Sequence, residues 1–492
     1  MSIVYEVIIG LEVHSQLLTE SKMFCSCKSD YQRASPNTVT CEICMGMPGA
    51  LPVVNQNAVD IAISTGLALE CDILKVTKFD RKNYPYPDLM KGYQISQYDH
   101  PVAVNGNLII NTDNGDKKIG ITRVHLEEDV ARLLHRTDDK GRAYSLVDIN
   151  RAGVALMEIV SEPEISTPDE ARTYLRMLRS ILRYLNASAA NMEEGSFRCD
   201  ANISIRPEGT DALGTKVEIK NMNSLRSVYN ALEYETKRQI QASDNGNEII
   251  QETRGWIEEK GITVSQRIKE GASDYRYFPE PDIPPLSIDP LWVKSVQESL
   301  PELPKTKICK YIQMYQLPKQ DAELLTSSKS TADFFESVLD TYHKDNNSLP
   351  DKAKSASNWI LGELARLINA AEGDISDIKI TPKYFSELLD MVESGALSNS
   401  MAKTVFEEMF ISGNSPLSIT EKNNLSQISD PNAIDVAVDQ AITENPDPVS
   451  DYLNGKENAI RFLVGQVMKI SGGKINPQIA TTKMKTKLDG MK

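Results

Sequence analysis

The sequence predicts an α+β fold, with about 290 residues of mixed strand and helix followed by an almost continuously helical remainder. Three observations carry this. Apolar residues alternate with a period of two near the N-terminus and again around residue 200. A helix with an N-terminal cap lies between those stretches. A proline-dense run near residue 280 marks the point where the texture changes.

The first strand is read from Val7, Ile9, Leu11 and Val13 alternating with Ile8, Gly10, Glu12 and His14. Between Arg198 and Arg206, Cys199, Ala201, Ile203 and Ile205 take one face, and Arg198, Asp200, Asn202 and Ser204 the other. The intervening helix opens on Thr167-Pro168-Asp169-Glu170, an N-cap, a proline at the first helical position and an acid at the capping-box position. Leu175, Leu178, Ile181, Leu182 and Leu185 follow at helical spacing. Arg172, Arg176, Arg179 and Arg183 form a second stripe, read as a solvated face. Phe278 to Pro285 holds too many prolines for helix or central strand and reads as an extended connector. Beyond it Leu361–Ile368 and Ala402–Phe410 show 3.6-residue spacing, and the loop Ser412-Gly413-Asn414-Ser415-Pro416 divides the helical part. The expected domains are therefore 1–293, 294–411 and 412–492.

Composition bounds the function. The chain has 492 residues and a formal net charge of −15, from 54 basic and 69 acidic residues. Two to four domains are expected at ~100–200 residues each. The acidic balance argues against a uniform polyanion coat but leaves room for one basic region. Lys456 to Lys492 is that region, with eight basic residues against Glu457 and Asp489. The start, Met1 to Glu6, fits neither a signal nor a transit peptide. Apolar runs such as Gly153–Met157 fall far short of the ~20 residues of a membrane span. A cytoplasmic location without membrane association is expected, and seven cysteines do not suggest a secreted disulfide framework.

Two constellations carry chemistry. Cys25-Ser26-Cys27 and Cys41-Glu42-Ile43-Cys44 are close pairs thirteen residues apart, the spacing of a closed, structural four-thiolate zinc site. Four of the seven cysteines within twenty positions argue against unrelated thiols; Cys71, Cys199 and Cys309 are read as core residues. The second constellation is acidic: Glu12 and His14 on one strand face, His125-Leu126-Glu127-Glu128-Asp129 after a strand-like run, Asp200 with Asn202, and Glu218 with Lys220. Carboxylates with one imidazole suit Mg²⁺ or Mn²⁺, although a solvated sheet face would look the same. No G-x-x-x-x-G-K-[ST], no G-x-G-x-x-G after a strand and no G-x-S-x-G element is present. A nucleotide would have to be held by metal and side chains, and acyl-transfer nucleophile chemistry is not expected here.

The ordered segments Ile9 to His14, Arg81 to Gln97, His125 to Asp129, Asn150 to Gly153, Glu158 to Pro163, Met192 to Asn202, Asp274 to Pro279 and Leu463 to Lys469 together resemble the B-subunit family of bacterial aspartyl/glutamyl-tRNA amidotransferases. The resemblance runs over nearly the whole chain. It implies an antiparallel-sheet cradle, a helical domain and a helical tail. It also implies ATP-dependent conversion of Glu-tRNA(Gln) or Asp-tRNA(Asn) to the amide by way of an acyl phosphate. Carried over by motif, Glu12, His14 and Glu128 would hold Mg²⁺, with Glu127 at the same catalytic centre and Asp200 and Glu218 there or at a second metal. Lys220, Asn150 and Arg151 would hold phosphate or the aminoacyl end. Lys469, Lys474, Lys483, Lys485 and Lys487 would contact tRNA through the tail. ATP, Mg²⁺ and structural Zn²⁺ are the implied cofactors. A glutaminase A subunit and a small C subunit are the implied partners, with ammonia passed between active sites. The alternative is a non-catalytic, zinc-stabilised tRNA-binding scaffold; the acids at Glu12, Glu128 and Asp200 speak against it. The archaeal paralogue is rejected, because the insertion that distinguishes it is missing.

Overall fold

The computed structural model describes residues 3–268, 275–342, 349–371, 373–423, 425, 431–472 and 475–491. The chain divides into two compact units, Met1–Pro304 and Lys305–Lys492.

The first unit is built on strands β1 (Tyr5–Gln16), β2 (Asp72–Ile73), β3 (Val76–Thr77), β4 (Asp80–Asn83), β5 (Tyr93–Ser96), β6 (Ala103–Thr112), β7 (Gly115–Glu128), β8 (Arg132–Thr137), β9 (Ala143–Asp148), β10 (Ala155–Ser161), β11 (Phe197–Pro207), β12 (Val217–Lys220), β13 (Glu252–Ile257) and β14 (Ile262–Ile268). Nine of them form one sheet in the order β14-β13-β12-β11-β1-β10-β7-β6-β2. Every pairing in it is antiparallel except β12 with β13. The two strands read from sequence, β1 and β11, are its centre and pair directly, Leu11 opposite Ala201 and Val13 opposite Cys199.

Period-2 alternation sorts the faces. Ile9, Leu11, Val13, Val124, Leu126, Met157, Ile159, Ala201 and Ile203 are buried in one apolar core. That core is shared with helices α1 (Gln56–Ala68), α2 (Pro168–Tyr184) and α3 (Leu225–Asp244). Helix α2 begins as its sequence dictates: the Thr167 side chain accepts from Glu170 N–H, with Pro168 in the first turn. Of its arginine stripe, Arg172 and Arg176 are exposed while Arg179 and Arg183 are half-buried. Arg183 donates to the Ala189 carbonyl at 2.9 Å, so the stripe is only partly a solvated face. The proline-rich run is extended at Phe278 and Pro279, which pair with Arg81 and Asp80 of β4, and turns at residues 281–283.

The second unit is helical throughout its described residues, from Lys305 to the helix Pro477–Asp489. Its buried side chains form one group spanning Tyr311 to Ile419 and another spanning Ile434 to Leu488. Cys71 and Cys199 are buried as expected, but Cys309 is exposed on the helix Pro304–Gln313. Its position places it on the side of that helix away from the buried Lys307 and Tyr311.

Candidate functional site

The polar face of the nine-stranded sheet concentrates ionisable groups. In the register His14 lies opposite Glu158, and Glu158 opposite His125. His14 Nε2 is 3.2 Å from Glu158 Oε2 and 3.6 Å from Glu127 Oε1. One donor atom from each of His14, Glu127 and Glu158 falls within 4.8 Å of the others. Two carboxylates and one imidazole, with both carboxylates buried, form a donor set suited to a hard divalent cation. His125 Nε2 is 3.4 Å from the same Glu158 oxygen, and its Nδ1 accepts from Arg123 Nε at 3.3 Å. Ser96 Oγ donates to Glu127 Oε2 at 3.2 Å. Supporting bonds of this kind fix carboxylates before a cation arrives.

The electrostatics follow from the crowding. Burial works against a charged His14, but Glu158, Glu127 and Asp200 outweigh it and lift the imidazole to about 9. Glu158, burial notwithstanding, is held well below the usual carboxylate range by His125 and His14. Lys82 is held above the usual lysine range because Glu127 and Glu158 outweigh its burial, and its Nζ lies 5.0 Å from the Tyr275 ring centroid.

The family resemblance implies Glu128 beside His14 at the metal; the structure separates them. β7 continues through Glu128, so Glu127 and Glu128 project to opposite faces. Glu128 pairs with Lys91 and accepts from Ile95 N–H at 2.9 Å, lining a pocket with Cys25, Cys44, Tyr93 and Gly153. Glu12 is two residues from His14 but accepts from Asn202 Nδ2 at 2.8 Å and is not one of the three clustered donors. Asp200 and Glu218 are bridged by the Lys220 ammonium, at 3.1 Å from Glu218, and Thr253 Oγ1 donates to Glu218 at 2.7 Å. An internal cation therefore already stands between these acids, and no second metal cluster forms from them among the described residues. Asn150 and Arg151 also differ from expectation. Buried Asn150 accepts from Val39 N–H and donates to the Ser35 carbonyl, bracing the cysteine-bearing loop. Arg151 donates to the Val130 and Ala131 carbonyls. Their side chains hold backbone.

Sequence patterns alone leave Glu158 and Lys82 without a role. Glu158 stands in a family motif, and its signal is one charged residue inside the otherwise apolar-looking run Ala155-Leu156-Met157-Glu158-Ile159-Val160. Only the cross-strand register reveals its partner.

The four cysteines do converge. One sulfur from each of Cys25, Cys27, Cys41 and Cys44 lies within 4.8 Å of the other three. A bridge between Ser21 and Lys28 closes the turn that presents the first pair, and Cys41 N–H donates to Cys44 Sγ at 3.1 Å in the second. A hydrogen bond from Cys25, aided by the Cys41 N–H and Lys22, pulls Cys44 down to about 5 against its burial, while burial pushes Cys27 up to about 11. Four sulfurs converging in this way fit a tetrahedral metal.

In the tail, Lys483 bonds Asp435 at 2.6 Å and Lys487 bonds Asp439 at 2.6 Å, whereas Lys469 and Lys485 are exposed. Lys474 lies outside the described residues. Among the described residues no helix is long and apolar enough to cross a membrane.

Residues 7–294 match the family described as the GatB/GatE catalytic domain, and residues 333–488 match the GatB domain. The chain is 52% identical over 487 residues to the aspartyl/glutamyl-tRNA(Asn/Gln) amidotransferase B subunit of Dehalococcoides mccartyi strain 195, covering 99% of both chains. It is 51% identical over 484 residues to the corresponding B subunit of Thermoanaerobacter pseudethanolicus, covering 98% of this chain and 99% of that one. The Moorella thermoacetica B subunit is 49% identical over 484 residues, with 98% and 100% covered.

Proposed function

The chain belongs to the B-subunit family of aspartyl/glutamyl-tRNA(Asn/Gln) amidotransferases, and from that membership we propose how its own residues serve the reaction. As the B subunit of a tRNA-dependent amidotransferase, it acts on Glu or Asp esterified to tRNA(Gln) or tRNA(Asn). The reaction has to replace a side-chain carboxylate oxygen by nitrogen. A carboxylate resists direct attack by ammonia because its oxygen is a poor leaving group. In the mechanism favoured here the carboxylate oxygen attacks the γ-phosphorus of ATP and ADP departs. Ammonia then adds to the carbonyl carbon, and phosphate and a proton leave as the amide forms.

His14, Glu127 and Glu158 would hold a divalent cation, which would supply positive charge to offset the repulsion between two approaching anions. The buried meeting of these three groups is the observation that carries this reading. Lys82, kept charged by the same acids, is placed to meet negative charge arriving at that face. Lys220 stands between Asp200 and Glu218 and offsets part of their negative charge. The four cysteines would hold zinc as a closed support for the loop they anchor. Ammonia would come from the separate glutaminase subunit that the family resemblance implies. The partners are then that A subunit, a small C subunit and mischarged tRNA, all in the cytoplasm.

The test is the reconstituted complex assayed on Glu-tRNA(Gln) and Asp-tRNA(Asn), with and without ATP and Mg²⁺. ATP-dependent amide formation that His14→Ala abolishes is expected. Near-normal transamidation by His14→Ala and Glu158→Gln together would overturn the metal assignment.

A further inference from the structure

We propose that the ammonium of Lys22 is the counter-charge of the four-cysteine site and determines how firmly that site keeps its metal; this rests on the zinc reading above. Lys22 is fully buried and is among the largest side chains so enclosed. Lysines almost never reach that state unless paired. Yet among the described residues no carboxylate lies within ion-pair distance of Lys22, and its Nζ has two partners. It donates to the Val39 carbonyl at 2.8 Å and to Cys44 Sγ at 3.8 Å. Glu128, which lines the pocket beside Cys44, is taken by Lys91.

The stem is closely seated. Gly153 adopts φ +83, and a Cβ there would lie 3.3 Å from Cys44 Cβ and 3.5 Å from Lys22 Cδ. A glycine at that point permits the positive φ and lets the lysine stem and the cysteine close on one another. A carbonyl oxygen carries only partial charge and cannot balance an ammonium. Four neutral thiols, or two disulfides, would leave it bare in a low-dielectric surrounding. Four thiolates on a divalent cation carry a net charge of two minus, the anion this position lacks. The buried lysine thus reports the charge state for which the cluster is built. When the cation leaves, the anionic centre shrinks from the four-thiolate cluster to the Cys44 sulfur alone and the ammonium loses most of its counter-charge, so metal retention and loop stability are coupled through Lys22.

The experiment uses the full chain as wild type, Lys22→Met and Lys22→Arg. Zinc content is measured first, then the rate of zinc release to a chromogenic chelator, then melting temperature with zinc bound and after stripping. Wild type is expected to hold zinc. Lys22→Met should release it ~10–100-fold faster, the scale of outer-shell effects on metal affinity. Its melting gap between loaded and stripped protein should also shrink, since the ammonium that stripping exposes is gone. Lys22→Arg, which keeps the charge, should resemble wild type. A merely structural lysine would lower both melting temperatures together and leave release unchanged, and that result overturns the proposal. Should Lys22→Met fail to fold, faster release from Lys22→Gln than from Lys22→Arg supports it and equal release overturns it. Wild type devoid of zinc would overturn the zinc reading itself, an outcome visible before any variant is compared.

Discussion

His14 and Glu158 stand opposite one another in the pairing of β1 with β10, their Nε2 and Oε2 atoms 3.2 Å apart. Glu127 reaches the same imidazole from β7, one strand farther across the sheet. Three strands that are remote in sequence therefore deliver one donor group.

If that group holds the catalytic cation, removing any member should separate two activities. In the assembled complex, His14→Ala, Glu127→Gln or Glu158→Gln should lose amide formation by ~100-fold or more, the scale of losing a principal electrostatic stabiliser. Glutamine hydrolysis by the partner should persist. Parallel assays of glutaminase and transamidase activity make the comparison, and equal loss of both would point to assembly instead.

Glu128 provides the contrast. Its carboxylate faces Lys91 on the other side of the strand, so Glu128→Gln should leave Mn²⁺ affinity within about twofold of wild type. It should cost ~1–3 kcal/mol of stability, because Lys91 is left half-paired in a buried setting. Direct Mn²⁺ titration beside thermal melts distinguishes the two effects. A tenfold loss of Mn²⁺ binding would return Glu128 to the metal centre.

The cysteine loop answers to elemental analysis. About one zinc per chain is expected from one four-thiolate cluster. Cys41→Ser should lower the melting temperature and zinc content before it changes the turnover of protein that remains folded. Metal-free wild type that melts no differently after zinc addition would refute the site.

How legible this is depends on the range of the interaction. The Thr167 cap of α2, the alternation of β1 and β11 and the two cysteine turns are local, and each follows from residues within a turn or a strand. The partnership of His14 with Glu158 spans 144 positions and needs the register, which no spacing encodes. Glu128 is misplaced from sequence because the strand-like run looks finished before His125; the strand runs on to Glu128, and its pleat divides the two adjacent glutamates. Asn150 and Arg151 are expected to hold phosphate or the aminoacyl end, whereas backbone carbonyls and amides of neighbouring loops bond their side chains.

Stability in the second unit carries a pH signature. Glu336 accepts from Lys310 at 3.1 Å and pairs with buried Lys307. Burial opposes its charge, but the two lysines hold its carboxyl below the usual range. A depressed carboxylate stabilises above its unfolded pKa of about 4.3, and that contribution disappears as pH falls through the lower folded value. Glu336→Gln should therefore melt lower at pH 7 and lose less stability than wild type on acidification below about pH 4. Melting curves across pH 7 to 3 test it, and parallel curves would assign the shift elsewhere.

The basic tail can be divided by its ion pairs. Lys483 and Lys487 are tied to Asp435 and Asp439 across the helices of the tail, so their substitution should disturb the fold of that group. Lys469 and Lys485 are exposed, and as phosphate ligands they would act by releasing counterions from tRNA. Removing one such lysine should shallow the slope of log affinity against log salt by nearly one, without reference to which tRNA is bound. Lys469→Gln with Lys485→Gln should thus weaken tRNA binding and flatten its salt dependence at unchanged melting temperature. Lys483→Gln should lower the melting temperature with a smaller change in slope. Binding titrations at several salt concentrations, on mischarged and uncharged tRNA, separate the two. An unchanged slope in the Lys469 and Lys485 double variant would remove those residues from the tRNA interface and leave the charge of the tail to its internal pairs.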